Sequence, residues 1–238
     1  MKVCGVSAHG TQLIRFGFVN CYLVRESDSF TLVDTGLPGG AQKIIEAARA
    51  IAPEPIARLL LTHAHMDHIG SLDALAAALG QPQVAIGRRE ARLLPKPPAQ
   101  DRTLDAGEPQ GKLKGSFSGA ATAPTQLLSD GELYGSLRAV ATPGHTPGHM
   151  AYFDERDGTL YGGDALFTLG GEVTISGFGP RRFPFTPLVT WHRPTAVASA
   201  RRLLELPIRR YAVGHGRIVE GGPELLERAV RYAEARLG

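Results

Sequence analysis

Residues 59–70 read LLLTHAHMDHIG, so three leucines run directly into His63, His65, Asp67 and His68. The whole chain has eight histidines, and three of them fall within these six positions. On an extended segment, residues i and i+2 point to the same side, so His63 and His65 can present their imidazoles to one point. Asp67 and His68 follow where the chain turns toward a helix, and they can face a second point close by. Imidazole and carboxylate are ligands for zinc and other divalent first-row metals. Four polar residues solvating a loop would not explain three histidines after an apolar run.

A metal site needs more ligands than one loop supplies. His145 and His149 lie in TPGHTPGH, Asp164 in LYGGDALF and His215 in VGHG. Each follows a strand signal and has glycine nearby, which places it on a strand-end loop where backbones can approach closely. His9 and His192 match no motif and read as ordinary. No G-x-S-x-G stretch supplies a serine nucleophile.

The elements that must position these groups alternate in type. Residues 16–26 and 29–36 read as a hairpin across Ser27-Asp28. Helical spacing follows over 39–52, a mostly apolar strand over 56–63, and a helix over 71–80 with Ser71 as N-cap and Gly80 as stop. A strand at 83–87 and a helical piece at 88–94 precede a Pro- and Gly-dense segment, 95–125. Such a length suits a lid, a surface excursion, an interface or a disordered linker. Strands are expected at 137–144, 149–155 and 159–167, then a loop over 168–194, a helix over 195–206, a strand over 210–216 and a helix over 223–237. Consecutive strands do not suit a purely parallel doubly wound sheet. An α+β arrangement fits, with two sheets face to face and helices outside, and residues 1–238 are expected to form one domain.

Composition narrows the function classes. The chain is 43% hydrophobic and 21% charged, with net charge +3. Its basic residues come in scattered pairs such as Arg88-Arg89 and Arg201-Arg202 and form no long run, so no nucleic-acid partner is expected. Cys4 and Cys21 make neither a disulfide framework nor a zinc ribbon. No stretch reads as a signal peptide or a membrane span, so a cytoplasmic protein without a membrane partner is expected.

THAHMDHIG, TPGHTPGH, GGDALF and GHG, in that order, resemble the metallo-β-lactamase superfamily of binuclear metallohydrolases. VNCYLV and LVDTG resemble its opening strands, so the likeness spans essentially the whole chain. It implies an αββα sandwich of two mixed β-sheets flanked by helices, with the site at one edge. It further implies His63, His65 and His145 on a first metal, Asp67, His68 and His215 on a second, and Asp164 bridging the two. The implied cofactors are two divalent metal ions, zinc foremost, with iron or manganese accepted by the same ligands. Asp34 would fix a ligand imidazole by a hydrogen bond, the plain reading being a turn residue before Gly36. His149 would pack or hydrogen-bond beside the ligands. Two close cations would make hydroxide available from a bridging water and stabilise charge on the substrate oxygen. Asp67 and Asp164 would be the catalytic carboxylates, Asp67 passing a proton to the leaving group.

Subgroups of the superfamily differ in detail. Its true β-lactamases typically lack the bridging aspartate. Glyoxalase II has a stretch like GGDALF but adds a C-terminal helical region that binds glutathione, whereas about one helix follows His215. The lactonases share all seven ligands but commonly have tyrosine where this chain has Phe167. RNA-processing members need a further exosite. What remains is a hydrolase of a small thioester, lactone or phosphoester, and a homo-oligomer is compatible with it. Loop 168–194 would wall the pocket, with Phe167 and Phe178 as apolar contacts (Phe183 and Phe185 could add to them). Arg181 and Arg182 would hold an anion or simply face solvent. A mononuclear-iron persulfide dioxygenase of the same fold is the alternative enzyme. A non-catalytic metal-binding protein should have lost ligands, and none is missing.

Overall fold

Side-chain alternation along the strands decides the layers. In β4 (Phe30–Val33) Leu32 packs toward helices while Val33 turns the other way. In β5 (Ile56–Leu61) Leu59 and Leu61 face the helices, and Leu60 faces a second sheet. This period of two, apolar on both faces, is what a sheet covered on each side requires. The computed structural model describes residues 1–179 and 186–237.

The first sheet has seven strands in chain order: β1 (Lys2–Gly5), β2 (Gly10–Arg15), β3 (Val19–Arg25), β4, β5, β6 (Gln83–Gly87) and β7 (Gln126–Leu128). Its first four strands pair antiparallel and the pairs from β4 to β7 are parallel. The second sheet is built from β8 (Leu133–Tyr134), β9 (Leu137–Ala141), β10 (Met150–Asp154), β11 (Thr159–Gly163), β14 (Arg210–Val213) and β15 (Val219–Glu220). Its order is β15-β14-β11-β10-β9-β8, and only the β11–β14 pair is parallel. A separate hairpin joins β12 (Leu166–Phe167) to β13 (Thr174–Ile175).

Helices α1 (Ala41–Ile51) and α3 (Leu72–Ala78) cover the first sheet through Ile44, Ile45, Ala48, Leu72 and Leu75. Helices α5 (Arg193–Leu203) and α6 (Pro223–Glu234) cover the second through Val197, Ala200, Leu226 and Val230. Between the sheets Tyr22, Val33, Leu60 and Ala85 meet Leu137, Ala139, Tyr152, Tyr161 and Ala212. The result is the four-layer αββα sandwich. Among the described residues no helix is long and apolar enough to cross a membrane.

Several local expectations are revised. Strands β1 and β2 form where the sequence gives no clean apolar run, because β3 offers a free edge and backbone pairing suffices. The expected strand 159–167 breaks at Gly163, whose φ of +48° turns the chain out of the sheet before Asp164. Residues 88–94 form only a single 3₁₀ turn, Glu90–Leu93. Ser71 sits at the N-cap position of α3 but makes no cap bond; its hydroxyl donates to Leu37 O and accepts from Gly40 N. Asp67 and His68 lie on a one-turn helix, α2 (Met66–Ile69).

Leu60 is fully buried between the sheets, so Leu60→Ala leaves a cavity that neighbours on two rigid sheets cannot close. The expected loss is about 2–5 kcal/mol of unfolding free energy, read from the denaturant midpoint of the metal-free chain.

Candidate metal centre

Two of the strand ends that carry the site are pinned by the opposite sheet. Tyr152 Oη donates to Leu61 O at 2.7 Å and Met150 N to Thr62 O at 3.0 Å, fixing the exit of β5. Tyr22 Oη and Asn20 Nδ2 donate to Val213 O, and Asn20 Nδ2 also to Gly216 O, fixing the exit of β14 on both sides of His215. The apolar strands thus deliver the histidines to one edge of the sandwich with little freedom left.

There the structure brings together His63, His65, Asp67, His68, His145, Asp164 and His215. His65 Nδ1 lies 3.0 Å from His63 Nε2 and 2.9 Å from His145 Nε2. His215 Nε2 lies 3.2 Å from Asp67 Oδ2 and 3.3 Å from Asp164 Oδ2, and His68 Nε2 lies 3.2 Å from Asp164 Oδ1. Three sets could each hold a metal: His63, His65 and His145; His63, His68 and Asp164; Asp67, His68 and His215. In each, the donor atoms lie within 4.8 Å of one another.

The far side of each ring fixes which nitrogen is protonated. Thr62 Oγ1 gives its proton to Asp34 Oδ2, so it accepts from His63 Nδ1–H at 3.0 Å and leaves Nε2 as the lone pair. His65 donates from Nε2 to Lys114 O at 2.9 Å. His68 donates from Nδ1 to Asp34 Oδ2 at 2.8 Å. His145 Nδ1 donates to Ser176 Oγ, whose own proton goes to Thr190 Oγ1, which donates onward to Thr186 O. His215 donates from Nδ1 to Phe18 O at 3.0 Å. All five imidazoles therefore turn a bare nitrogen inward. Facing lone pairs repel, and a cation is the group that relieves them. His68 Nε2 and Asp164 Oδ1, both buried, have no hydrogen-bond partner, as donors left for a metal would.

Asp34 is the hub of this arrangement. Its carboxylate accepts from Thr62 N, Thr62 Oγ1 and His68 Nδ1, each at 2.8 Å. Its φ of +57° is unusual for a side-chain-bearing residue and aims the carboxylate across the top of β5. His149 is buried beside the cluster and presents no lone pair to it. Its Nδ1 donates to Thr142 Oγ1 and its Nε2 accepts from Asp164 N at 3.0 Å, which sets the backbone of Asp164. Gly214 must be glycine, since a Cβ there would overlap Asp164 Oδ1. His192 has a structural role, capping α5 by accepting from Thr195 N.

Electrostatics divides the cluster. Burial lowers the pKa of His63 and His145 well below the ordinary value and that of His65 to about 4, so this trio is neutral. On the other side, burial opposes the charged forms, but Asp164 and Asp67 outweigh it and hold His215 up to about 10. Asp164 likewise stays well below the carboxylate range despite its burial, through His215 and His68. The carboxylates sit on the side of His68 and His215, where they favour a positive charge.

Three contributors carry little sequence signal. Glu90 is fully buried and accepts from Ala64 N, Thr146 Oγ1 and Gly148 N, tying the residue between His63 and His65 to the loop after His145. Phe117 stands edge-on to His65, with centroids 4.6 Å apart. Ser176 lies 31 residues from His145. Only Thr62, adjacent to His63, could have been suspected from the sequence.

The expected substrate contacts fare differently. Phe167 stacks flat on His215 and is 3% exposed, so it packs against imidazole and offers little open surface. Phe178 is buried under the Arg193 guanidinium and lines a cavity of about 520 Å³ with Val173, Leu225 and Tyr232; none of the seven cluster residues borders that cavity. Arg181 and Arg182, with Phe183 and Phe185, lie outside the described residues.

A two-sheet sandwich carrying such a His/Asp cluster on its strand ends defines the metallo-β-lactamase superfamily, whose family model matches residues 14–215. The chain belongs to that superfamily. It is 42% identical over 217 residues to the uncharacterized protein YobT of Bacillus subtilis (strain 168), covering 91% of each. It is 28% identical to the probable metallo-hydrolase YflN of the same organism, over 88% of this chain and 85% of the relative. The crystal structure of the BLEG-1 B3 metallo-β-lactamase matches with TM-score 0.66 at 26% identity, over 88% of this chain and 92% of that one.

Asp34→Asn places an amide NH₂ against donors that now meet a carboxylate oxygen. Metal affinity should fall about 10–100-fold, measured by competition with a chromophoric chelator. Glu90 gives a pH signature: burial raises its pKa from 4.5 to about 7 against the pull of its three donors. Between those values the folded chain keeps a proton that the unfolded chain releases, so Glu90 lowers stability as pH rises through this window. In chelator-treated protein, Glu90→Gln should therefore show a shallower fall in stability than the parent from about pH 5 to 7, on top of a pH-independent loss.

Proposed function

We propose that this chain is a two-metal hydrolase of a small thioester, lactone or phosphoester. One observation carries the reading: five imidazoles, each with its outer nitrogen hydrogen-bonded, turn their lone pairs toward two adjacent points with a carboxylate between them. His63, His65 and His145 would hold one divalent ion, Asp67, His68 and His215 the other, and Asp164 would bridge. Bound there, the ions acidify a water and polarise the substrate oxygen.

The chain's own residues supply the rest. Asp164, 4% exposed in its side chain and set by His149, stays ionised and holds its two oxygens toward His68 and His215. Asp67 is the open carboxylate of the cluster, its side chain 31% exposed. With Oδ2 turned to His215, its Oδ1 is the oxygen that takes a proton from the attacking water and returns it to the leaving group. Asp34 keeps His68 oriented while charge builds. Phe167 covers His215 and His145 and keeps water from their rings. The carboxylate at Asp164 also supports an ester-type substrate over a β-lactam, for which the superfamily's true lactamases typically use another residue there.

The test is acid release, followed with a pH indicator, from thioesters, lactones, phosphodiesters and a β-lactam, with protein loaded separately with zinc, manganese or iron. Turnover of one bond class is expected, abolished by chelation and reduced more than about 100-fold by His145→Ala. Silence across the panel with every metal would overturn the proposal, and oxygen uptake with glutathione persulfide would then identify the dioxygenase alternative.

A further inference from the structure

The five imidazoles of the cluster differ in how far they are sealed. His63 and His68 are fully buried. His145 is backed by Ser176 and by helix α4 (Thr186–Val189), whose Thr186 O ends the relay through Thr190. His65 is covered by segment 95–125: Lys114 O accepts from its Nε2, a Cβ on Gly115 would collide with its ring, and Phe117 packs on it. Among the described residues, one side is left open. His215 is the most exposed of the five rings, with 12% of its side chain open, and its Nε2 lies 3.2 Å from Oδ2 of Asp67, the open carboxylate. A ligand of the metal pair therefore enters beside Asp67 and His215.

The hairpin tip between β2 and β3 stands at that opening. Phe18 stacks on His215 with ring centroids 6.2 Å apart, while its carbonyl accepts from His215 Nδ1. Its side chain is nonetheless open: Phe18 is 51% exposed and Phe16, two residues away, 70%. Phe16 also has φ of +51° and Gly17 φ of +81°, in a turn closed by Phe18 N donating to Arg15 O. Two left-handed residues make a turn that suits Asn-Gly, and a bulky side chain at the first of them is strained. Burial does not compensate for that strain, because the Phe16 ring lies against the Arg15 guanidinium, 5.0 Å away, and otherwise faces mostly solvent. Two open rings flanking Gly17 thus add little to the fold. An apolar group brought over them would gain the contact that they lack.

We propose that Phe16 and Phe18 form an apolar clamp that sets substrate specificity, and that the substrate carries an alkyl or aryl group on the side of Asp67 and His215. This deepens the hydrolase reading and rests on it for the word substrate. The occupant is a small molecule held by the metals, because the rings adjoin the open donors themselves: Phe18 lies on His215 and His215 on Asp67.

The experiment uses calorimetry on the zinc-loaded full chain with ethanethiol and 2-phenylethanethiol, which offer the metals the same thiol and differ by one phenyl ring. The parent should bind the phenyl ligand about tenfold more tightly. Phe16→Asn and Phe18→Ser should each lower that ratio, and the double variant should bring it close to one, the loss falling on the phenyl ligand. Phe18→Leu, still apolar, should keep most of the ratio. Phe16→Asn should melt no lower than the parent, since asparagine accepts the left-handed turn. A parent without preference, or a preference that survives the double substitution, would overturn the proposal. Equal weakening of both thiols would make the hairpin a brace for His215 and overturn it too. So would a parent dimer that Phe16→Asn converts to a monomer in sedimentation, which would make the tip a contact between copies. Thiol binding needs no turnover, so this result stands apart from the activity panel.

Discussion

Three hydrogen bonds converge on the carboxylate of Asp34, two from Thr62 and one from His68. Through Thr62 Oγ1 the same carboxylate governs the proton on His63. One side chain therefore orients an imidazole in each half of the cluster, and its own aim depends on a left-handed backbone at the end of β4. An imidazole that rotates or carries its proton on the wrong nitrogen cannot bind a metal. The sandwich is built around meeting that condition five times over, with Lys114 O, Ser176 and Phe18 O serving the remaining rings.

The layers make those hydrogen bonds possible. β4 and β5 end side by side in one sheet, and β9, β11 and β14 contribute His145, Asp164 and His215 from the other. Buried tyrosines and Asn20 tie the ends of one sheet to carbonyls of the other. These polar links cross an otherwise apolar interface, where an unmade hydrogen bond costs more than it would in water. The packing that stabilises the fold is thereby also the device that holds the ligands in register.

Charge follows the same division. The trio His63, His65 and His145 is neutral because burial outweighs the pull of the neighbouring Asp164, whereas His68 and His215 share Asp67 and Asp164. The cluster is therefore asymmetric, donor-rich and uncharged on one side and anionic on the other.

Much of this was legible in the residues before any coordinates. Histidine and aspartate at strand exits, with glycine beside them, marked the candidates, because metal chemistry restricts residue type and strand geometry restricts spacing; the resemblance to the superfamily narrowed them to seven and set His149 beside the ligands. The sandwich architecture followed from consecutive strands flanked by helical periodicity. The bounds of elements were less legible: β1 and β2 depend on a neighbouring edge, and the break at Gly163 on a bulge that local propensity does not encode. The partners of the ring nitrogens were the least legible. Ser176, Glu90, Lys114 and Phe117 are polar, acidic, basic and aromatic residues of ordinary kind in stretches without periodicity, and Phe167 and Phe178 read as pocket walls yet are buried. Sequence determined which side chains could bind metal, since that is a property of each residue. For four of the five rings, which nitrogen is presented and what stands opposite it was decided only in the tertiary structure, because a hydrogen bond across 31 to 197 residues exists only once the chain has packed.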